Sequence, residues 1–158
     1  MIKRAIYAGT FDPITVGHFD IISRAVRLFD EVIIGVAKSE RKSPHFDLAQ
    51  RMAMVRTVVA NLDTVIVKEF SDLTINFAKQ HHAQFLVRGL RTAKDYDYEA
   101  ELACMNRLMS DEQLETVLLP AKPEYAYISS SIVRELISMK AYDKLSAFVP
   151  ESILCFVS

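Results

Sequence analysis

Five short apolar runs rich in β-branched residues alternate along this chain with longer segments of helical period, and that alternation limits the fold more than any other feature. AIYA (5–8), EVIIGVA (31–37), TVIVKEF (64–70), FLVRG (85–89) and ETVLLP (115–120) read as strands. Between them, GHFDIISRAVRLF (17–29) reads as a helix with Phe19, Ile22, Val26 and Phe29 on one face. DLAQRMAMVRTVVA (47–60) and DLTINFAKQHH (72–82) read as helices capped by Asp47 and Asp72, and DYDYEAELACMNRLM (95–109) as another. SSSIVRELISMK (129–140) and PESILCFVS (150–158) extend the helical tail. Apolar strands separated by helices imply a parallel sheet covered on both faces. Right-handed crossovers then give a doubly wound, five-stranded α/β fold. With 158 residues and no repeat, linker or low-complexity tract, the expectation is a single domain over 1–158.

Composition narrows the partners. A formal charge of −1 argues against a chain that coats nucleic acid or an anionic membrane, while leaving room for a local basic pocket. No run approaches the ~18 apolar residues that would span a bilayer. MIKRAIYAG is too short in its apolar part for a secretory signal. Cys104 and Cys155 stand far apart in apolar surroundings without metal or disulfide spacing. They read as two buried thiols in a reducing compartment, so a cytoplasmic location is expected.

Ligands of doubly wound folds bind beyond the carboxyl ends of the strands. In strand order, the residues there are Gly9-Thr10 and His18; Lys38, Arg41 and Lys42; Ser71-Asp72-Leu73; Arg88-Gly89-Leu90-Arg91; and Lys122 followed by Ser129-Ser130-Ser131. A parallel sheet gathers all of them at one edge. Such a concentration of cations and hydroxyls in a nearly neutral chain points to a polyanion, most simply a nucleotide phosphate.

The stretch GTFDPITVGH holds two of the chain's four glycines. Gly9 suits either a plain turn or a close approach of backbone to ligand. Gly17-His18 opens a helix, where free N–H groups and the dipole favour an anion. Gly35, in mid-strand, reads as a packing glycine. Neither GxxxxGK[ST] nor GxGxxG occurs, which argues against P-loop and dinucleotide redox chemistry. RGLR (88–91) brings two guanidinium forks suited to phosphate oxygens. Ser129, Ser130 and Ser131 open a helix, either as an anion site or as an N-cap with spare hydroxyls. His45, His81 and His82 have no ligand spacing and are expected at the surface. The helix at 95–109 carries an apolar stripe at Tyr98, Leu102, Met105 and Met109, with Cys104 and Leu108 off it, a pattern that suits packing against a second subunit.

TxGH (Thr15-Val16-Gly17-His18) followed by ISSS (Ile128 to Ser131) resembles the nucleotidylyltransferase superfamily, with its Rossmann-like fold. GTFDPITVGH, Lys42, RGLR, DYDYE, MNR (105–107) and ISSSIVRE, in that order over nearly the whole chain, are similar to the bacterial phosphopantetheine adenylyltransferase family. The resemblance implies adenylyl transfer from ATP to 4′-phosphopantetheine, giving dephospho-coenzyme A and pyrophosphate. It implies catalytic roles for Thr10, His18, Lys42 and Arg91. On the acceptor side it implies Thr10, Lys42, Thr74, Arg88 and Asn106. ATP would meet Thr10, Phe11, His18, Gly89, Leu90, Arg91, Glu99, Tyr125, Ala126, Tyr127, Ile128, Ser129, Ser130 and Ser131. Mg²⁺ as cofactor without identified side-chain ligands, a homohexamer built as a dimer of trimers, and coenzyme A as a competing ligand are implied as well. Three positions depart from the family pattern: Ala8 in place of proline, Val16 in place of a polar residue and Tyr125 in place of tryptophan. None removes a charged group or a hydroxyl.

In such a reaction the acceptor's phosphate attacks the α-phosphorus directly, so no covalent intermediate and no catalytic cysteine or serine is expected. The protein aligns two polyanions and neutralises their charge. The helix start disfavours an imidazolium at His18, whereas bound phosphates favour it. Two other readings stand beside this one. The chain could be another adenylyl- or cytidylyltransferase, such as one acting on nicotinate mononucleotide, or a non-catalytic nucleotide-binding module.

Overall fold

The computed structural model describes residues 1–38 and 43–158. Strands β1 (Arg4–Gly9), β2 (Glu31–Ala37), β3 (Val65–Phe70), β4 (Phe85–Leu90) and β5 (Glu115–Pro120) form one sheet in the order β3-β2-β1-β4-β5. All four pairings are parallel. Helices α1 (Val16–Ala25), α2 (Leu48–Val58), α3 (Thr74–Gln80), α4 (Ala93–Met109), α5 (Ser130–Ser138) and α6 (Leu154–Val157) follow or separate the strands. This is the expected doubly wound, Rossmann-like α/β architecture, with its topological switch between β1 and β4.

Alternation along the central strands divides the core in two. Ala5 and Tyr7 of β1 and Val32, Ile34 and Val36 of β2 face a large cluster that includes Ile22, Met54, Val55, Leu145 and Ile153. Ile6, Ala8 and Ile33 face a smaller one with Phe77, Leu86 and Leu114. Both faces of β1 and β2 are buried, which is why these strands read as unbroken apolar runs rather than alternating ones. Gly35 lies on the smaller face. A Cβ there would stand 2.7 Å from Phe77 Cε1 and 3.1 Å from Phe70 Cε1, so its role is packing. β3, at the sheet edge, exposes Ile66, Lys68 and Glu69.

Several local expectations change. The buried face of α1 is Asp20, Ile21, Ile22 and Ala25, and the helix ends before Val26 and Phe29. Asp47 caps α2 as expected, in a reciprocal capping box with Gln50. Asp72 sits one residue too early to cap α3: the N-cap is Leu73, and Asp72 instead accepts from the Leu73 amide and Asn76 Nδ2. Both cysteines are free but exposed, not buried. Cys104 lies on α4, of which only Glu99 is buried. Tyr98, Met105, Leu108 and Met109 are exposed, so the expected stripe lies largely uncovered. His81 is half-buried, edge-on to Phe77. No helix among the described residues is long and apolar enough to cross a membrane.

Candidate active site

The sheet opens at its switch point. β1 pairs with β2 over six residues but with β4 only at Ala5–Phe85 and Ile6–Leu86. Beyond that point Arg88 Nη1 reaches across the gap to donate to the Ala8 carbonyl at 3.2 Å. The mouth of this gap is a cavity of about 330 Å³ lined by residues from the ends of β1 and β4, the start of α1 and the β5–α5 connection.

Gly9 ends β1 with no unusual backbone angle; the left-handed residue of the turn is Phe11, at φ 50°. The Phe11 ring folds back so that a Cβ on Gly9 would lie 3.2 Å from it, and this close approach is what a side chain there would block. Phe11 is 3% exposed and packs edge-on against Tyr7 and His18. Such a backbone costs of order 1 kcal/mol or more and persists where packing over-determines it.

His18 sits in the first turn of α1 within a capping box. Thr15 Oγ1 accepts from the His18 amide at 3.3 Å, and the Thr15 amide donates to His18 Nδ1 at 3.0 Å. An Nδ1 that accepts a backbone N–H is unprotonated, so the neutral ring carries its proton on Nε2, the nitrogen left for the cavity. Burial, with Arg91 as a lesser cause, pushes the His18 pKa down to about 4. In the ligand-free protein His18 is a neutral hydrogen-bond donor held by its own helix end.

The cationic groups are arranged unequally. Arg88 gives Nε and Nη2 to Glu99 at 2.7 and 2.8 Å and Nη1 to Ala8, which uses three of its five N–H groups. Arg91 is more exposed and tied to Asp95 through a longer contact of 3.5 Å. Lys122 pairs with buried Asp20 at 3.0 Å and lies over the Tyr125 ring, so it pins the β5–α5 connection to α1.

At α5, Ser129 is the N-cap and accepts from the Ile132 amide. Ser130 Oγ donates to the Pro13 carbonyl at 2.7 Å, and Ser131 Oγ accepts from Arg134 Nη2. All three hydroxyls are therefore engaged, and that of Ser130 ties α5 to the β1–α1 turn. Ser129, Ser130 and Ser131 line the same cavity, and the first amides of a helix have no acceptor within the helix backbone.

Of the residues expected at the site, Phe11, His18, Arg88, Gly89, Arg91, Tyr125, Ile128 and Ser129 to Ser131 line this one cavity. Thr10 adjoins its wall at Gly9, with its carbonyl engaged by Arg51. Leu90, Ala126 and Tyr127 lie outside the lining, Tyr127 at 82% exposure. Glu99, Thr74 and Asn106 belong to a second cavity of about 300 Å³, which shares Ala8 and Arg88 with the first. Its other walls are mostly apolar, from Leu73, Ile75, Leu102, Met105 and Met109. Lys42, and Arg41 with it, lie outside the described residues. Gly17, expected at an anion-favouring helix start, lines the first cavity too, whereas Tyr7, Ala8, Ile21 and Ala121 line it without having been singled out as ligand contacts. Strand-end and helix-start positions were the signal that could have found them.

No carboxylate lines the first cavity, and no metal-holding group of His, Cys, Asp or Glu occurs among the described residues. With its guanidinium, imidazole and hydroxyl groups, the described lining suits the oxygens of a polyanion.

Solved structures share this architecture. A bifunctional NMN adenylyltransferase/ADP ribose pyrophosphatase from Francisella tularensis matches 96% of this chain with a TM-score of 0.66 at 15% identity. Thermotoga maritima TmcAL bound with alpha-thio ATP matches 99% with a TM-score of 0.72 at 11% identity. This chain spans only 44% and 55% of those two proteins, and at such identities the likeness is one of fold. The sequence itself matches the cytidylyltransferase-like family over residues 6–136, a stretch that holds His18, both arginines of RGLR and the three serines at the start of α5. The chain belongs to the cytidylyltransferase-like family of nucleotidyltransferases.

Proposed function

We propose that this protein transfers the adenylyl group of ATP to 4′-phosphopantetheine, releasing pyrophosphate and forming dephospho-coenzyme A. The observation that carries this reading is the pair of adjoining cavities that share Ala8 and Arg88. One is a cationic, hydroxyl-rich cradle suited to a triphosphate. The other is a mostly apolar slot with Thr74 and Asn106 in its lining, suited to an uncharged arm with a few amide groups.

An oxygen of the acceptor phosphate attacks the α-phosphorus of ATP, and the bond from that phosphorus to the α–β bridging oxygen breaks. Pyrophosphate leaves with the electron pair, so no side chain needs to become covalently attached. The protein's part is alignment and charge stabilisation. His18 donates from Nε2 to a non-bridging oxygen of the α-phosphate, and Arg91 and the α5 amides hold the leaving phosphates. Arg88, fixed by Glu99, keeps two N–H groups for the acceptor side. Lys42 and Thr10 are assigned to the acceptor's phosphate on the strength of the motif resemblance. Magnesium would enter with ATP and would offset part of the phosphate charge. Two phosphorylated ligands repel one another, and the whole charges brought by both would favour a protonated His18 in the complex.

The reading extends to assembly and inhibition. The exposed apolar band of α4 is where another copy would pack in a homohexamer, and coenzyme A, which contains the product's framework, would compete for both cavities. The test is a panel of ATP and CTP against 4′-phosphopantetheine, nicotinamide mononucleotide and nicotinate mononucleotide, scored by pyrophosphate release. ATP with 4′-phosphopantetheine should be the productive pair. Release with a mononucleotide, or with CTP, assigns another transferase of the family. ATP binding without release in any combination assigns a binding module.

A further inference from the structure

Arg51, on α2, is 1% exposed and is among the largest fully buried side chains of the protein. Its guanidinium is spent on backbone carbonyls from three separate segments. Nε donates to Phe46 at 3.1 Å, Nη1 to Thr10 at 2.7 Å and to Ala37 at 2.8 Å, and Nη2 reaches Lys38 at 3.5 Å. Ala37 and Lys38 form the entry stem of the β2–α2 connection and Phe46 its exit stem; Thr10 belongs to the β1–α1 turn.

A second group closes the same knot from the other side. Asp12 accepts from the His45 amide at 2.8 Å and the Phe46 amide at 2.9 Å. Its own carbonyl accepts from Arg134 of α5 at 2.7 Å. Phe46 is thus held by its N–H through Asp12 and by its C=O through Arg51.

Burying an arginine is costly, and an apolar side chain of similar volume is often as stabilising or more so. What an apolar residue cannot do is fix the spacing of carbonyls on different segments. A planar fork with five donors can, because its geometry is rigid. Arg51 lines neither cavity.

We propose that Arg51, with Asp12, is a positioning residue that locks both stems of the β2–α2 connection to the β1–α1 turn and so sets the acceptor's phosphate against the nucleotide cavity. This rests on the proposed reaction for the role of Thr10, whose carbonyl Arg51 holds at 2.7 Å. The clamp itself rests on geometry alone. Toward the α5 wall it reaches only Arg134, chiefly through the Asp12 backbone carbonyl, which both variants below keep, so it governs alignment and acceptor capture far more than nucleotide binding.

The experiment compares wild-type protein with Arg51→Lys and Asp12→Asn. Lysine keeps the charge but cannot span the carbonyls; asparagine keeps one acceptor and loses the other. Three quantities are read: ATP affinity, kcat and acceptor KM, and hydrogen exchange at the His45 and Phe46 amides. Expected for both variants are ATP affinity within about threefold of wild type, kcat/KM for the acceptor at least tenfold lower, and exchange at those amides at least tenfold faster. The acceptor is whichever one the wild type uses, so a different substrate overturns the reaction assigned above without touching this inference. If the wild type turns over no acceptor, the exchange and ATP measurements decide it. Unchanged exchange, wild-type kinetics, or a loss of ATP affinity parallel to the loss of turnover each overturns the clamp. Should Arg51→Lys fail to fold, Asp12→Asn alone decides between these outcomes.

Discussion

Glu99 holds Arg88 by two parallel hydrogen bonds, Nε to Oε2 at 2.7 Å and Nη2 to Oε1 at 2.8 Å, at the wall shared by the two cavities. The pair raises the Arg88 pKa, chiefly through these bonds. A bidentate contact of this kind fixes orientation as well as charge. Glu99 is therefore a group that aims an arginine, set on α4 where only it is buried. Glu99→Ala should destabilise the protein by about 2 kcal/mol in urea unfolding. That is below the usual ~3–5 kcal/mol for a broken buried pair, because the Arg88 side chain is 33% exposed. Glu99→Gln, which keeps one acceptor, should lose less.

His18 yields a pH prediction with a definite sign. Burial holds its pKa near 4, below the ordinary 6.5 of the unfolded chain, so the unfolded chain binds the extra proton between those values. Stability therefore rises with pH through that window; the contribution of His18 is complete above about 6.5 and is lost as the pH falls through about 4. The C–H resonances of the ring, followed by NMR in ligand-free protein, should titrate near pH 4. A midpoint near 6.5 contradicts the buried, neutral ring described here.

Removing that ring should cost turnover rather than fold. Loss of one donor from an oxyanion-type site typically raises the barrier by ~2.7–4 kcal/mol. His18→Ala should accordingly lower kcat by at least roughly a hundredfold with an unchanged circular dichroism spectrum. Near-normal turnover would remove His18 from the chemistry.

Thr15→Val removes the cap and keeps the imidazole. It deletes the hydroxyl that accepts from the His18 amide and stands 3.0 Å from Nδ1, but leaves the Thr15 amide bonded to Nδ1. The expected loss is about 1 kcal/mol of stability, the usual worth of an N-cap, with kcat falling much less than in His18→Ala. Equal losses of kcat in the two variants would mean that the cap, not the imidazole, sets the rate.

Gly35→Ala tests packing alone. The new methyl would meet Phe77 at 2.7 Å and Phe70 at 3.1 Å, two rings that stack on each other. Overpacking of this kind typically costs ~1–3 kcal/mol. The urea midpoint should drop, while kcat per folded molecule stays as it was.

How far the sequence disclosed these relationships depends on their range. β2 and β5 were legible to the residue, because an apolar run flanked by polar residues is a local signal. The gathering of His18, Arg91 and Ser130 at one cavity followed from strand order alone, since a parallel sheet puts every strand's exit on the same side. Arg51 was invisible: within DLAQRMAMVR it looks like a solvated helix residue, and only the carbonyls of Thr10, Ala37 and Phe46 reveal its burial. Gly9 was noticed, but the ring that demands it belongs to Phe11, whose left-handed backbone no composition rule would suggest. The cysteines misled: apolar neighbours in sequence signalled burial, whereas Cys104 and Cys155 are both exposed.

Direct detection of the product bears hardest on the reaction itself. Purified protein incubated with ATP, Mg²⁺ and 4′-phosphopantetheine should form dephospho-coenzyme A, seen by mass spectrometry, with one pyrophosphate released for each molecule made. Absence of that product while ATP still binds would contradict the account.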